Sequence, residues 1–146
     1  MLRKRNIHVV FEHFEAFFNA VFASAVVFRD ALQVKKQTTS DTLTYTGGSK
    51  TVSTTCWWDK NKKIPAGTYY NCSATTMATK TNSSGKPREA IYIPNITGYS
   101  QIFIHMGTGP SWSDGCIVIP ESDILSIWQD ITQKNGHNIT VTISNA

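Results

Sequence analysis

The chain has 146 residues, of which 40% are hydrophobic and 11% aromatic, and its formal net charge is +4. This length and composition are typical of one globular domain with its own hydrophobic core. The charge is mild, and no long basic stripe is interleaved with aromatic residues, so the sequence does not support nucleic-acid binding. Two groups of basic residues are interpreted as solvated loop charges. They are Lys60, Lys62 and Lys63, and the pair Lys86 and Arg88.

Residues 1–35 differ in pattern from the rest of the chain. Their apolar residues recur at steps of three and four, which is the spacing of a long amphipathic helix. These residues are Phe11, Phe14, Phe18, Val21, Ala25, Phe28 and Leu32. Such a helix would cover the rest of the domain, associate with a second copy or another partner, or lie on a membrane surface.

The same segment has a competing interpretation as a poor secretory signal peptide or an uncleaved anchor. Leu2–Arg5 is basic, Ala16–Phe22 is apolar, and Ala23–Ala25 fits a cleavage site of small residues. Against this, Glu12 and Glu15 interrupt the region that a signal peptide keeps apolar. No window reaches the roughly 18 apolar residues that a membrane-spanning helix needs, so we expect no integral membrane span.

Residues 42–146 follow a polar, Thr-rich linker and predict a domain of short strands. Thr42–Tyr45 and Lys50–Ser53 flank Gly47-Gly48, a pattern typical of a β-hairpin. Further strands are predicted at Gly67–Asn71, Ala90–Ile93, Gln101–His105, Cys116–Ile119 and Ile139–Ile143.

One helix is predicted inside this domain, on a face made by four apolar residues. They are Ile124, Ile127, Trp128 and Ile131. Ser122 is predicted as its N-cap and Asn135-Gly136 as its stop. The fold class is therefore mainly β: a β-rich sandwich or barrel with one internal helix, in addition to the long N-terminal helix.

The residues that can carry chemistry lie at two predicted strand ends. His105 ends one apolar run, and Cys116 precedes the next. The thiolate is the reactive form of cysteine, and a free thiol with a pKa of about 8.5 is little ionised at neutral pH. An imidazole that takes the thiol proton therefore makes a nucleophile. Gly115 has no Cβ, so the backbone can turn its N–H groups toward one point, as an oxyanion hole requires.

Other site chemistries find less support. There is no Cys-x-x-Cys and no His-x-x-x-His, so a metal site is poorly supported. In papain-like enzymes the cysteine precedes the histidine and opens a helix, whereas Cys116 follows His105 and precedes a strand. Cys56 and Cys72 either pair in an oxidising compartment or stay unpaired, and the sequence leaves both open. His137 is interpreted as a polar surface residue.

Three segments carry a family resemblance. They are Ile64-Pro65-Ala66-Gly67-Thr68-Tyr69, His105-Met106-Gly107-Thr108 and Ser113-Asp114-Gly115-Cys116-Ile117. Together they resemble the L,D-transpeptidase (YkuD-type) catalytic domain over roughly Thr42 to Ile143, closest to its short phage-encoded and secreted-effector variants. Two departures stand out. Asp114 replaces a histidine of the family, and no arginine follows Cys116, so a substrate carboxylate must be met elsewhere.

The resemblance implies the family's fold for residues 42–146 and an acyl transfer on peptidoglycan tetrapeptide stems. It implies Cys116 as nucleophile, His105 as base, and the Met106 carbonyl as the group that orients the imidazole. Backbone N–H groups of Asp114, Gly115 and Cys116 would form the oxyanion hole. Substrate contacts are expected from Thr108, Trp112 and Ser113. No metal or cofactor is implied.

The reaction itself is left open between L,D-transpeptidase, L,D-carboxypeptidase and exchange of the terminal D-amino acid. Because the substrate is peptidoglycan, the implied location is the bacterial cell envelope or periplasm. Delivery by a secretion system or release at phage lysis would explain the poor signal peptide. The alternative function is a catalytically silent peptidoglycan-binding or regulatory domain with the same fold.

Overall fold

A computed structural model describes residues 40–145. Before them it gives only the backbone of three extended segments, Arg5–Glu15, Asn19–Ala23 and Val27–Phe28. The helix and the alternative signal peptide predicted for residues 1–35 fall in this part of the chain, much of which lies outside the described residues, and they stay predictions. In the described part, no helix is long and apolar enough to cross a membrane.

Between residues 40 and 145 the protein is mainly β, as predicted, with seven strands and one α-helix. The strands are β1 (Ser40–Thr46), β2 (Thr51–Trp57), β3 (Gly67–Thr81), β4 (Pro87–Ile93), β5 (Ile102–Met106), β6 (Ile117–Ile119) and β7 (Ile139–Asn145). The helix is α1 (Glu121–Asp130), and Pro110–Trp112 forms one 3-10 turn.

These seven strands form one mixed sheet in the order β7-β3-β4-β5-β6-β2-β1. β5 and β6 run parallel, and the other neighbours are antiparallel. The sheet curls into a half-barrel. Its buried side is rich in isoleucine, whose branched side chain packs well on a pleated surface. The predicted hairpin is confirmed, since β1 pairs with β2 and the Gly47 N–H donates to the Lys50 carbonyl at 2.7 Å.

The predicted ends of the helix are wrong. α1 begins at Glu121, with Pro120 in the N-cap position and Ser122 exposed in the first turn. Proline has no side-chain oxygen to cap the helix, but its φ of −56° is compatible with the residue that precedes the first turn, and its carbonyl accepts from the Asp123 and Ile124 N–H groups. The helix ends at Asp130, well before Asn135-Gly136. There the Lys134 ammonium donates to backbone carbonyls that the helix end leaves free.

The two faces of the central strands separate the core from the candidate site. Side chains alternate along a strand, so Ile104 in β5 points to the core and its neighbour His105 to the other face. His105 lies opposite Ala90 in β4 and opposite Val118 in β6. We call this second face of β3–β6 the site face. The helix α1 buries Ile124 and Ile127 in the core.

Candidate active site

His105 is held as a neutral base. Its side chain is 4% exposed, and Nδ1 lies 2.7 Å from the carbonyl oxygen of Met106. A carbonyl only accepts hydrogen bonds, so Nδ1 carries the proton and Nε2 keeps its lone pair. Burial lowers the pKa of His105, the Met106 contact partly offsets this, and the charges of Arg88 and Lys80 lower it further. The imidazole can therefore accept a proton at neutral pH.

Cys116 lies immediately before β6 and is 8% exposed. Its sulfur is 3.4 Å from the backbone nitrogen of Phe103, which donates to it, and 3.8 Å from the Gln101 carbonyl, to which the thiol donates. No hydrogen bond joins this thiol to His105 in the described part of the chain. Burial raises the pKa of Cys116, the Phe103 N–H partly offsets this, and the charge of Asp114 raises it further. The resting thiol is therefore protonated.

The site thus holds a neutral thiol and a neutral imidazole, not a preformed ion pair. Phe103 and His105 point to the same face because they are two residues apart, roughly 6.6 Å along β5. Cys116 precedes the core residue Ile117 and faces the site side with them. A pair of this kind is suited to general base catalysis, in which a thiol loses its proton as it attacks.

At one position in the loop before Cys116, the backbone has a conformation that only glycine adopts readily. Gly115 has φ +104°, and a Cβ there would lie 3.0 Å from the Ile102 side chain. The Ser113 hydroxyl donates to the Cys116 carbonyl at 2.6 Å. Within the described residues, the N–H groups of Asp114 and Gly115 donate no hydrogen bond. They are available to a negatively charged oxygen.

The other predicted site residues lie around this loop. Asp114 is 81% exposed and pairs with the Lys62 ammonium. Thr108 is exposed, and Trp112 is 41% exposed. Ser113, in contrast, is buried, and its hydroxyl is engaged within the loop. Thr108 and Trp112 are therefore open to a substrate, whereas Ser113 fixes the carbonyl of the candidate nucleophile.

A cavity of about 460 Å³ lies on the site face, and two of its lining residues, Gln101 and Phe103, contact the Cys116 sulfur through their backbones. Its lining residues are Ser73, Thr75, Thr76, Met77, Ala78, Thr79, Tyr92, Gln101, Phe103, Asn135 and His137. None of them is an acid, a lysine or an arginine. Gln101, Asn135 and His137 have φ of 53°, 54° and 53°, values that residues other than glycine rarely adopt. Such strain often accompanies functional sites, and here three strained residues share one cavity.

The structure corrects one interpretation from the sequence, that of Arg88, and adds a cavity contact to another, the surface residue His137. Arg88 is not a loop charge: it lies in β4, is half-buried, and its Cζ is 5.4 Å from the centre of the Trp112 ring. His137 is exposed but lines the cavity, and its backbone N–H donates to the Ser73 hydroxyl at 2.9 Å. The pairing of β3, β4 and β5 produces both arrangements, and no local sequence signal marks them.

The three cysteines are free, and two of them are sealed in the core. Cys56 and Cys72 are both 0% exposed, and the structure shows no disulfide between them. Burial raises the pKa of Cys72 to about 12 and also raises that of Cys56 well above its ordinary value. Cys116 keeps a small exposed fraction, 8%, and its sulfur contacts Phe103 and Gln101, two residues that line the cavity.

We expect iodoacetamide to modify native protein once, on Cys116, and more slowly than it modifies a free cysteine. The reason is that Cys116 is protonated but keeps an exposed fraction of 8%, whereas the other two thiols have none. Intact mass spectrometry over time, followed by peptide mapping, measures this. The same reaction in denaturant should add three groups, one for each cysteine in the sequence. Early modification of Cys56 or Cys72 in native protein would contradict the described core.

Comparisons with protein-family models, curated proteins and solved structures find no match to this chain. Among the described residues, no three metal-binding side chains lie close enough together to hold an ion. The candidate site is therefore described by its own groups: a protonated thiol and a neutral imidazole on one sheet face, near a cavity whose lining holds no acid, lysine or arginine.

Proposed function

We propose that the protein is a cysteine acyltransferase that modifies peptidoglycan by acting on its tetrapeptide stems. The observation that carries the proposal is the His105 imidazole, oriented by the Met106 carbonyl on the sheet face that it shares with Cys116. This is the arrangement expected from the resemblance of both segments to the L,D-transpeptidase type. The curled mainly-β sheet is compatible with that fold, to which we assign residues 42–146.

In the proposed reaction the Cys116 thiol turns away from the Gln101 carbonyl, by rotation about one side-chain bond, and transfers its proton to Nε2 of His105. The sulfur attacks the carbonyl carbon of the third stem residue. The carbon–nitrogen bond to the terminal D-alanine breaks, and His105 returns the proton to the departing amine. A thioester remains on Cys116. Water or an amine then attacks it, giving its proton to His105, which restores the thiol.

The proposal assigns the N–H groups of Asp114 and Gly115 to stabilising the oxyanion formed in each step. Their availability supports this role, since neither is used inside the protein in the described part. In other enzymes one such donor contributes roughly 10²–10³ in rate. The positive φ of Gly115 and the Ser113 bond to the Cys116 carbonyl both support a fixed turn, so these donors are oriented before the substrate arrives.

The loop between β5 and β6 is short, and this favours small acceptors over a second stem peptide. It contains one 3-10 turn and leaves Trp112 partly exposed. A thioester on Cys116 beside so short a loop would be open to water and to free amino acids. Trimming of tetrapeptides to tripeptides, or exchange of the terminal D-amino acid, is therefore proposed over 3–3 cross-linking. In the bacterial envelope either reaction would remove donors for wall synthesis, the effect of an antibacterial effector.

The test is mass spectrometry of muropeptides incubated with the purified full chain. We expect tetrapeptides to become tripeptides, and to exchange their terminal residue when free D-amino acids are added. Protein with Cys116→Ala, treated in parallel, should leave the muropeptides unchanged. Dimers with 3–3 links as the main product would contradict the preferred acceptor, and unchanged muropeptides with native protein would contradict the function.

A catalytically silent peptidoglycan-binding domain is the second candidate. It is favoured by the raised pKa of Cys116 and by the lack of a thiol–imidazole hydrogen bond in the described structure. A carbapenem distinguishes the two, because it acylates a cysteine that can attack a carbonyl. A stable adduct on Cys116 supports the enzyme. Binding to peptidoglycan without any adduct, and without turnover, supports the silent domain.

A further inference from the structure

Arg88 is a cation held in place on the site face without a salt bridge to a carboxylate in the described part of the chain. Its Nε donates to the Thr81 carbonyl at 3.1 Å, and its guanidinium lies over the Trp112 ring. Among the described carboxylates, that of Glu121 is close enough for the Arg88 charge to help lower its pKa, but it forms no salt bridge with Arg88. The ring contact and one backbone contact hold the side chain but leave most of its five N–H donors unused. Such a group is suited to a planar anion.

The position of Arg88 relative to His105 follows from the strand pairing. Ala90 lies opposite His105, and Arg88 is two residues before Ala90, so it points to the same face. Because β4 and β5 are antiparallel, Arg88 lies toward the Gly107 end of β5. A Cβ on Gly107 would lie 2.8 Å from Trp112, the ring on which Arg88 stacks.

The thiol lies on the other side of His105. Its contacts are Phe103 and Gln101, which also line the uncharged cavity. Along β5 the order is therefore cavity and thiol, then imidazole, then guanidinium. An acyl donor bound along this line has its acyl part in the uncharged cavity and its leaving residue toward Arg88.

The proton transfer to the leaving amine requires the same orientation of the acyl donor. The base that returns a proton to the leaving amine must lie beside that amine, so the leaving residue is on the His105 side of the thiol. One extended residue spans about 3.3–3.6 Å, so a carboxylate on the leaving residue itself lies nearer the thiol than one further along the peptide. Arg88 lies beyond His105, on the side of the leaving amine, so this carboxylate is the first that the arginine side chain meets.

We propose that Arg88 binds the free α-carboxylate of the leaving residue and so restricts the reaction to the C-terminal residue of the acyl donor. This inference rests on the proposed acyl transfer. Arg88 would then be the positively charged partner of the substrate carboxylate, since no arginine follows Cys116. Arg88 acts in binding and selects the substrate, while the bonds that break and form are those already given for Cys116 and His105.

The test compares two tetrapeptides that differ only at the C-terminus, one with a free carboxylate and one with a primary amide. We expect the full chain to release the terminal residue from the free acid with a kcat/KM roughly 10- to 100-fold higher, the range for a hydrogen bond to a charged group. Most of the difference should appear in KM. Equal rates on the two peptides would overturn the role of Arg88 while leaving acyl transfer intact. Release from neither peptide would instead refute the proposed function.

Variants of Arg88 test whether the preference for the free-acid peptide depends on the guanidinium. Arg88→Gln should lose it, with similar kcat/KM on the two peptides, and Arg88→Lys should keep a smaller preference. Lys50→Gln is the matched control, since it removes one exposed positive charge beside Ser126 on α1 and should keep the full preference. An unchanged preference in both Arg88 variants would overturn the proposal. If Arg88→Gln is poorly folded, the Arg88→Lys comparison decides.

Discussion

Replacing Cys116 with alanine is expected to abolish turnover of tetrapeptide stems and to leave the fold intact. The reaction has no other nucleophile, because the remaining thiols are enclosed in the core. The sulfur contributes little to stability, since it lies outside the core cluster and its contacts are weak ones to Phe103 and Gln101. Release of D-alanine and thermal unfolding, measured on the same preparation, test the two halves of this expectation.

Asp114→Ala is the matched comparison for this variant. Its side chain is exposed and pairs with Lys62, and only its backbone N–H is assigned to the oxyanion hole. The loss of activity should therefore be much smaller than for Cys116→Ala. Substantial turnover by Cys116→Ala would contradict the mechanism, and an equal loss in Asp114→Ala would give that carboxylate a role beyond its backbone.

Replacing His105 with glutamine is expected to lower kcat by roughly 10²–10⁴, the usual contribution of general acid–base catalysis. Glutamine keeps a polar group near the Met106 carbonyl but accepts no proton at neutral pH. Circular dichroism should show the native fold. Activity within a few fold of the native protein would remove His105 from the reaction.

The same histidine sets the acid side of the pH profile. Its neutral form is the base, so activity is present above its pKa and is lost as the pH falls through that value. Because burial lowers this pKa, the acid limb of kcat/KM should have its midpoint below the ordinary value of about 6.5. The limb should be missing in His105→Gln. A midpoint above 7 would contradict an imidazole held neutral by burial.

The sequence predicts the strands and the candidate catalytic residues because both leave local signals. Alternating residues mark β7, Gly47-Gly48 marks the first hairpin, and His105 and Gly115-Cys116 stand at strand ends. The helix ends were missed because Pro120 and the Lys134 side chain act there, instead of a polar N-cap and a glycine stop. The organisation predicted for residues 1–35 stays a prediction.

The role of Arg88 and the cavity could not be predicted in the same way. Arg88 meets Trp112 only because β4 pairs with β5 in one register and the following loop folds back over Gly107. The cavity collects residues from β3, β4, β5 and the segment after α1. Contacts of this kind depend on strand order, which periodicity within a strand does not determine.

The protonated state of Cys116 also bears on how the protein withstands oxidants. Peroxide attacks the thiolate, and the resulting sulfenic acid can be oxidised further to forms that are not restored. A thiol whose pKa is raised by burial, and which donates toward the Gln101 carbonyl, presents little thiolate to peroxide. If Cys116 acts as proposed, its thiol is therefore protected from oxidative inactivation until it transfers its proton to His105.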